Sequence, residues 1–247
     1  LGGLFAANLL RHIGWSVQVF ERADADLAGR GAGIGTHAEL FAIMDRIGVH
    51  VDPSMSVQVA GRICLDRTGH IELEVPLLGF MSAWPRIYSP MRAAFPSADY
   101  HGGMSLVRVE QHADRVIAEF ADGHREEADL LIGADGLRST VRAQFLPHIE
   151  PRYAGYVAWR GVVEEQAIDP ATHALMFERY TFCLPEGEMM LVYPVPGRND
   201  DTRVGHRASN FVWYRPTDPV RALHELADML VLALAGAAGT LVVPAQG

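Results

Sequence analysis

The sequence predicts an α/β fold: a βαβ-containing half over residues 1–150, an antiparallel sheet over 151–217, and an atypical tail over 218–247. Three observations predict it. An amphipathic segment, Leu4 to Ile13, follows paired glycines and leads into a short β-type run, Val17 to Phe20. A second apolar run, Leu130-Leu131-Ile132, feeds Gly133-Ala134-Asp135-Gly136 and then a helical pattern. After Pro151 the pattern becomes a succession of strand-like segments.

Taken in order, Leu4, Ala7, Leu10 and Ile13 recur at helical spacing, and Gly14 ends that helix as a C-cap glycine would. Val17 to Phe20 is a strand, and the polar, glycine-rich Asp24 to Gly35 is a loop. Ala38 to Ile47 is a second helix closed by Gly48. Val57 to Asp66 and Ile71 to Val75 are strands about the Arg67-Thr68-Gly69 turn, and part of 55–100 is free to join the second sheet. A proline opens a helix over Pro85 to Ala94. Leu106 to Gln111 and Arg115 to Phe120 alternate as a hairpin, and Ala121-Asp122-Gly123 makes the next turn. Ala128 to Gly133 reads as a buried strand. Tyr153 to Val163, Leu175 to Leu184, Met189 to Val195 and Asn210 to Arg215 are strand-like, with Pro185-Glu186-Gly187-Glu188 turning between two of them.

Composition narrows the function. The chain has 247 residues, 49% hydrophobic and 21% charged, ordinary for a globular protein with a core. A net charge of −9 argues against a nucleic-acid surface, which needs clustered Lys and Arg. Cys64 and Cys183 make neither a metal spacing nor a disulfide framework, and they suit a reducing cytoplasm. No basic leader is visible, so no signal peptide is expected. The longest apolar run, Met229 to Val243, contains two glycines and falls short of the roughly 20 residues that span a bilayer, so no integral membrane segment is expected. The 11 histidines show no metal-binding spacing, and neither a Gly-x-Ser-x-Gly elbow nor a Walker loop occurs.

The residues at the start of the chain suit a dinucleotide. Such a site needs a strand, a glycine turn that lets phosphates approach the backbone, and a helix N-terminus that favours their charge. Gly2 and Gly3 followed by the Leu4 to Ile13 helix supply the end of that device, although an ordinary loop before a helix reads the same way. Glu21 stands 18 residues after Gly3, at a strand end, where a carboxylate accepts from ribose hydroxyls. A solvated strand-end acid is the alternative. Arg22 and Arg30 could face phosphates or merely solvent. Gly29, Gly31, Gly33 and Gly35 suggest a loop that packs closely against something. Small residues flank Asp135, which can accept from a sugar-like hydroxyl or simply cap a turn. Ser139 can cap the helix that follows.

Together these pieces resemble the FAD-dependent aromatic hydroxylases of the para-hydroxybenzoate hydroxylase type. The glycine loop to Glu21, the Gly31 to Gly35 loop, and Gly133-Ala134-Asp135-Gly136-Leu137-Arg138-Ser139 match in order. Trp84-Pro85-Arg86-Ile87-Tyr88 resembles the segment where many members place a flavin-contacting arginine. Tyr153 to Gly161 and Tyr193-Pro194-Val195-Pro196-Gly197 are similar to the 2,6-dihydroxypyridine 3-monooxygenase subgroup. The resemblance implies a Rossmann-like FAD domain, present in part, and a substrate-covering sheet. It implies FAD as cofactor, NAD(P)H as co-substrate, and O2 with a small electron-rich aromatic or hydroxypyridine ring as reactants. The implied cofactor contacts are Gly2, Gly3, Glu21, Arg22, Gly31, Gly33, Arg86, Asp135 and Gly136.

No catalytic residue is named. His173, Tyr180, Tyr193 and Trp213 lie in the region expected to cover the ring, where packing explains each as well, and Arg138 and Arg142 suit either the reductant's phosphates or salt bridges. The first strand, the opening loop glycines and the later Gly-Asp motif of the family have no counterpart here. The expectation is therefore that this chain holds FAD weakly or not at all. Ser89 stands where close relatives would carry a basic residue. Two other readings remain: an NAD-dependent dehydrogenase on the same βαβ unit, and an inactive remnant or interaction domain. An unpaired sheet edge would invite association, and a homodimer is one form it could take.

Overall fold

The computed structural model describes residues 1–25, 27, 33–50 and 56–218. Gly29, Arg30 and Gly31, and the tail from residue 219 with its Met229 to Val243 run, lie outside the described residues.

The first half builds a layered core. Helix α1 (Gly2–His12) buries Leu4, Ala7 and Asn8 and ends at Gly14, whose φ of 97° only glycine adopts readily. The chain then enters β1 (Val19–Phe20). Strand β2 (Gly33–Thr36) occupies the end of the segment expected to be a loop. Its alternation of glycine with Ile34 and Thr36 gives it one side thin enough for another sheet to approach. Helix α2 (Ala38–Arg46) follows and closes at Gly48.

The single strand expected over 57–66 is two, β3 (Ser56–Val59) and β4 (Gly61–Leu65), in different sheets. Gly61 makes the crossing: a Cβ there would sit 2.8 Å from the Val75 carbonyl oxygen. Next come β5 (Ile71–Val75), β6 (Gly79–Ala83) and α3 (Trp84–Ala94), with proline in the first helical turn. Strand β6 pairs antiparallel with both β2 and β3. Leu4, Ala7, Met44, Ile87, Met91 and Phe95 pack into one core.

Strand β7 (Tyr100–His101) pairs in parallel with β1. The expected hairpin forms as β8 (Leu106–Gln111) and β9 (Val116–Phe120), and β10 (Arg125–Ala128) extends it. There the ladder stops. Ala128 to Gly133 is not the buried strand its sequence suggests: only Ala128 is in a strand, and Leu130 and Ile132 are 48% and 49% exposed. Apolar side chains do not make a strand unless a neighbour takes up the backbone N–H and C=O groups, and no described strand pairs with 129–133. Helix α4 (Thr140–Phe145) follows, capped by Ser139, whose hydroxyl accepts from the Arg142 N–H at 2.9 Å.

The second half forms β11 (Tyr156–Glu164), α5 (Pro170–Met176), β12 (Arg179–Cys183), β13 (Met189–Val195) and β14 (Ala208–Pro216). The stretch expected as a strand from Leu175 begins as the end of α5, because Asp169 caps that helix through the N–H groups of Ala171 and Thr172. The sheet order is β11-β14-β13-β12-β4-β5. The four strands from after residue 151 pair antiparallel, as expected, and β12 also runs parallel to β4. Val59, Met81, Leu191, Tyr193, Val195 and Val212 form a second core between this sheet and the β2-β6-β3 sheet. Among the described residues, no helix is long and apolar enough to cross a membrane.

Candidate functional site

Two distant segments meet at the start of α1. No side chain caps this helix and no acid lies in its first turn, so nothing there offsets the positive end of its dipole among the described residues. Gly3 lies against the Asp135 turn: a Cβ on Gly3 would come 3.3 Å from the Ala134 Cβ, while one on Gly2 would meet nothing. Gly136 adopts φ 76°, the left-handed turn that delivers the chain to α4.

Asp135 is the charged group of that turn. Its Oδ2 accepts from the Val141 N–H at 3.2 Å, but its Oδ1 is buried with no partner. Burial works against its ionisation. Hydrogen bonds from Ser139 and from the Val141 N–H outweigh it and hold the carboxyl below its ordinary range. The side chain is thus a carboxylate with one oxygen unused.

Glu21 follows β1. Its Oε1 accepts from the Ala23 N–H at 3.0 Å, and its backbone is tied to His101 and Met104. Arg22 is exposed. Gly33 packs against the second sheet: its carbonyl accepts from the Tyr193 hydroxyl at 3.1 Å, and a Cβ would lie 2.7 Å from Val195 Cγ1. Arg86, in α3, donates to the Asp200 carbonyl at 2.8 Å.

The six-stranded sheet separates the ring-covering candidates. Directly opposed residues share a face. Tyr193 opposes Asn210, which opposes Val162, and Leu191 opposes both Phe182 and Val212, the latter itself opposite Arg160. These residues lie on the face turned towards β2 and β6. Tyr180 is on that face too, its ring 5.1 Å from that of Tyr193 in an edge contact. Burial pushes the Tyr193 hydroxyl up to about 12, with Arg160 pulling the other way, so the phenol stays protonated. Trp213 lies on the opposite face, its indole N–H donating to Glu188 at 2.7 Å.

His173 belongs to a separate ion cluster. Glu165 accepts from Arg207 Nε and Nη2 at 3.0 and 2.7 Å, and from the Gly205 and Arg207 N–H groups. His173 Nε2 lies 2.9 Å from its other flank, and Arg207 also reaches Glu178. Glu165 and Arg207 are 3% and 5% exposed at their side chains, so this cluster binds parts of the fold to one another.

Comparison with known proteins settles the lineage. A family model described as FAD binding domain-like matches residues 153–241. The 2,6-dihydroxypyridine 3-monooxygenase of Paenarthrobacter nicotinovorans is 34% identical over 218 residues, which is 87% of this chain and 53% of that protein. The chain belongs to the FAD-dependent aromatic hydroxylases. A 6-hydroxynicotinate 3-monooxygenase of Pseudomonas fluorescens is 29% identical over 81% of this chain and 54% of its own length. The solved 2,6-dihydroxypyridine-3-hydroxylase of Arthrobacter nicotinovorans superposes with a TM-score of 0.78 at 34% identity, covering 88% of this chain and 54% of that one. This hydroxylase-family chain thus spans about half the length of the curated relatives it matches.

The residues present fit the family's cofactor on one independent observation: an unused, buried carboxylate oxygen at Asp135. Of the residues expected to contact the cofactor, the structure places Gly3 beside Ala134, the neighbour of Asp135. Arg160 and Asn210 went unremarked as polar groups, because only strand register shows that they share a face with Tyr193.

Proposed function

We propose that this chain carries the FAD-binding and ring-covering part of a monooxygenase that hydroxylates an electron-rich aromatic or hydroxypyridine ring with NAD(P)H and O2. The observation that carries it is the meeting of the α1 N-terminus with Asp135. Gly2 and Gly3 leave the backbone accessible to a pyrophosphate, whose charge the helix end favours. Asp135, with an oxygen unused, accepts from a flavin-side hydroxyl, and Gly136 keeps that turn open. Glu21 accepts from ribose hydroxyls. Arg22, Gly31, Gly33 and Arg86 complete the proposed contacts, with Arg86, in the first turn of α3, donating to the Asp200 carbonyl. When bound, FAD supplies the redox and oxygen chemistry, and the protein orients the ring and tunes its charge. The relatives act, by their names, on hydroxylated rings that include pyridines, which supports a small aromatic substrate here. A cytoplasmic setting suits the two free cysteines, and a homodimer suits the exposed edge strands.

The test is titration of FAD with the purified chain, followed by flavin fluorescence. Weak but saturable quenching by the wild-type chain is expected, in keeping with the weak FAD binding that the sequence implies. Asp135→Ala and Glu21→Ala are each expected to weaken binding by about 1–3 kcal/mol, the range for hydrogen bonds to charged groups. No quenching by the wild-type chain, or binding of NAD in place of FAD, would overturn the proposal. Unchanged affinity in either variant removes that residue from the site.

A further inference from the structure

The six-stranded sheet ends in two edges, and they differ in how they meet a further strand. At one edge β5 alternates Glu72 and Glu74 with its apolar residues, its register against β4 shifts between Cys64 and Leu65, and Pro76 follows it directly. Charged side chains, an irregular ladder and a proline all discourage another strand from pairing there. At the other edge β11 runs nine residues, Tyr156–Glu164, in unbroken register with β14. It holds no proline, and Tyr156, Val162 and Val163 are 45%, 50% and 40% exposed. Among the described residues no strand pairs with its outer side, so its outward N–H and C=O groups form a template for one.

Two charges on β11 select the strand. Arg160 and Glu164 point to the same face of the sheet, with Val162 midway between them. Arg160 is half-buried and has no hydrogen-bond or carboxylate partner among the described residues. A guanidinium cannot shed its charge, so it favours an incoming carboxylate. Glu164 is exposed, and Arg198, which lies 2.7 Å from it, is more exposed still, so that surface pair holds it only weakly. An antiparallel copy of the same strand meets both needs. With Val162 opposite Val162 of a second copy, Arg160 falls opposite the copy's Glu164, Glu164 opposite its Arg160, and Gly161 opposite its Val163. Residues of one face then meet residues of the same face, as pairing requires. Centring the pair on Gly161 instead sets Arg160 against Val162 and Glu164 against Ala158, and centring it on Arg160 opposes two guanidinium groups.

Resting on the homodimer reading, we propose that β11 is the edge through which two copies of this chain join: the strands pair antiparallel about Val162, the two six-stranded sheets become one, and an Arg160–Glu164 ion pair forms on each side of the two-fold axis. The contact uses the same residues on both copies, so it closes on itself. It covers Val162 and supplies Arg160 with a carboxylate. The guarded β5 edge fits the same scheme, because a β5 strand open to β11 would add sheets head to tail without end.

Sedimentation velocity of the full chain over a range of concentrations reads the dimer. Arg160→Glu and Glu164→Arg are each expected to weaken it by about tenfold or more, because each sets like charges opposite one another on both sides of the axis. The double variant, with the two charges exchanged, is expected to regain the wild-type association. A second measurement does not depend on how well the charge variants fold. In a Cys64→Ser, Cys183→Ser background, Val162→Cys is expected to give a disulfide between copies on mild oxidation, since directly opposed residues lie within disulfide reach. Val163→Cys, which opposes Gly161, is expected to give none. A dimer that both charge variants leave intact, without a Val162→Cys cross-link, uses another surface; that overturns the inference and leaves the homodimer reading standing. A double variant that associates no better than the single ones, with no cross-link, overturns the inference as well. A wild-type chain that is monomeric at every concentration removes both.

Discussion

Glu165 shows how a single side chain can be both costly to bury and hard to remove. Its burial works against the charge, and Arg207 and His173 more than offset it, holding the carboxyl at about 2, down from 4.5. The depressed value fixes the pH dependence. Above about pH 4.5 the folded and unfolded chains are both ionised here and the stabilisation is complete; as pH falls towards 2 the unfolded chain gains a proton that the folded one refuses, and the stabilisation is lost. Glu165→Gln is expected to cost about 3 kcal/mol at neutral pH by leaving Arg207 buried without its bidentate partner. It should also flatten the loss of stability between pH 4.5 and 2, measured by urea unfolding across that range. An unchanged acid limb would place the acid sensitivity elsewhere. None of this was legible in the sequence, because Glu165 and Arg207 come from separate elements and nothing in their spacing pairs them.

At the scale of elements, legibility followed local signals. Helices α1, α2 and α3 were readable from 3.6-residue periodicity, closing glycines and a proline at the start, and β8–β9 from alternation around a turn. What failed was whatever depends on a partner. The 129–133 run lacks a ladder, and Gly33–Thr36 became a strand because β6 lies beside it. Strand β2 also explains why glycine stands there. A methyl on Gly33 would lie 2.7 Å from Val195 Cγ1 and 2.8 Å from the Tyr193 ring. Gly33→Ala is therefore expected to lower stability by about 1–3 kcal/mol. Much of that should return in the Gly33→Ala, Val195→Ala double variant, with thermal melts of the three proteins as the measurement. If Val195→Ala restores nothing, the glycine is kept for reasons other than this contact.

For the whole molecule, part of the 55–100 stretch joins the second sheet, as its sequence left it free to do. The six-stranded sheet takes four strands from after residue 151 and two from residues 61–75. The candidate site is likewise composite: Gly3 lies beside Ala134 from the other end of the first half, and Asp135, Gly2 and Gly3 were singled out as candidates because each carries a local motif. The parallel pairing of β4 with β12 joins Leu65 to Cys183, residues 118 positions apart. Such a pairing bears on synthesis as well as on stability. A ribosome adding about 5–20 residues per second delivers Cys183 many seconds after Leu65. During that interval the β4–β5 hairpin waits with Ile63 and Leu65, buried in the finished sheet, still uncovered. Protease protection of residues 61–75 on stalled nascent chains should therefore begin only once residue 183 has left the exit tunnel, and protection on shorter chains would show that the hairpin finds another cover first.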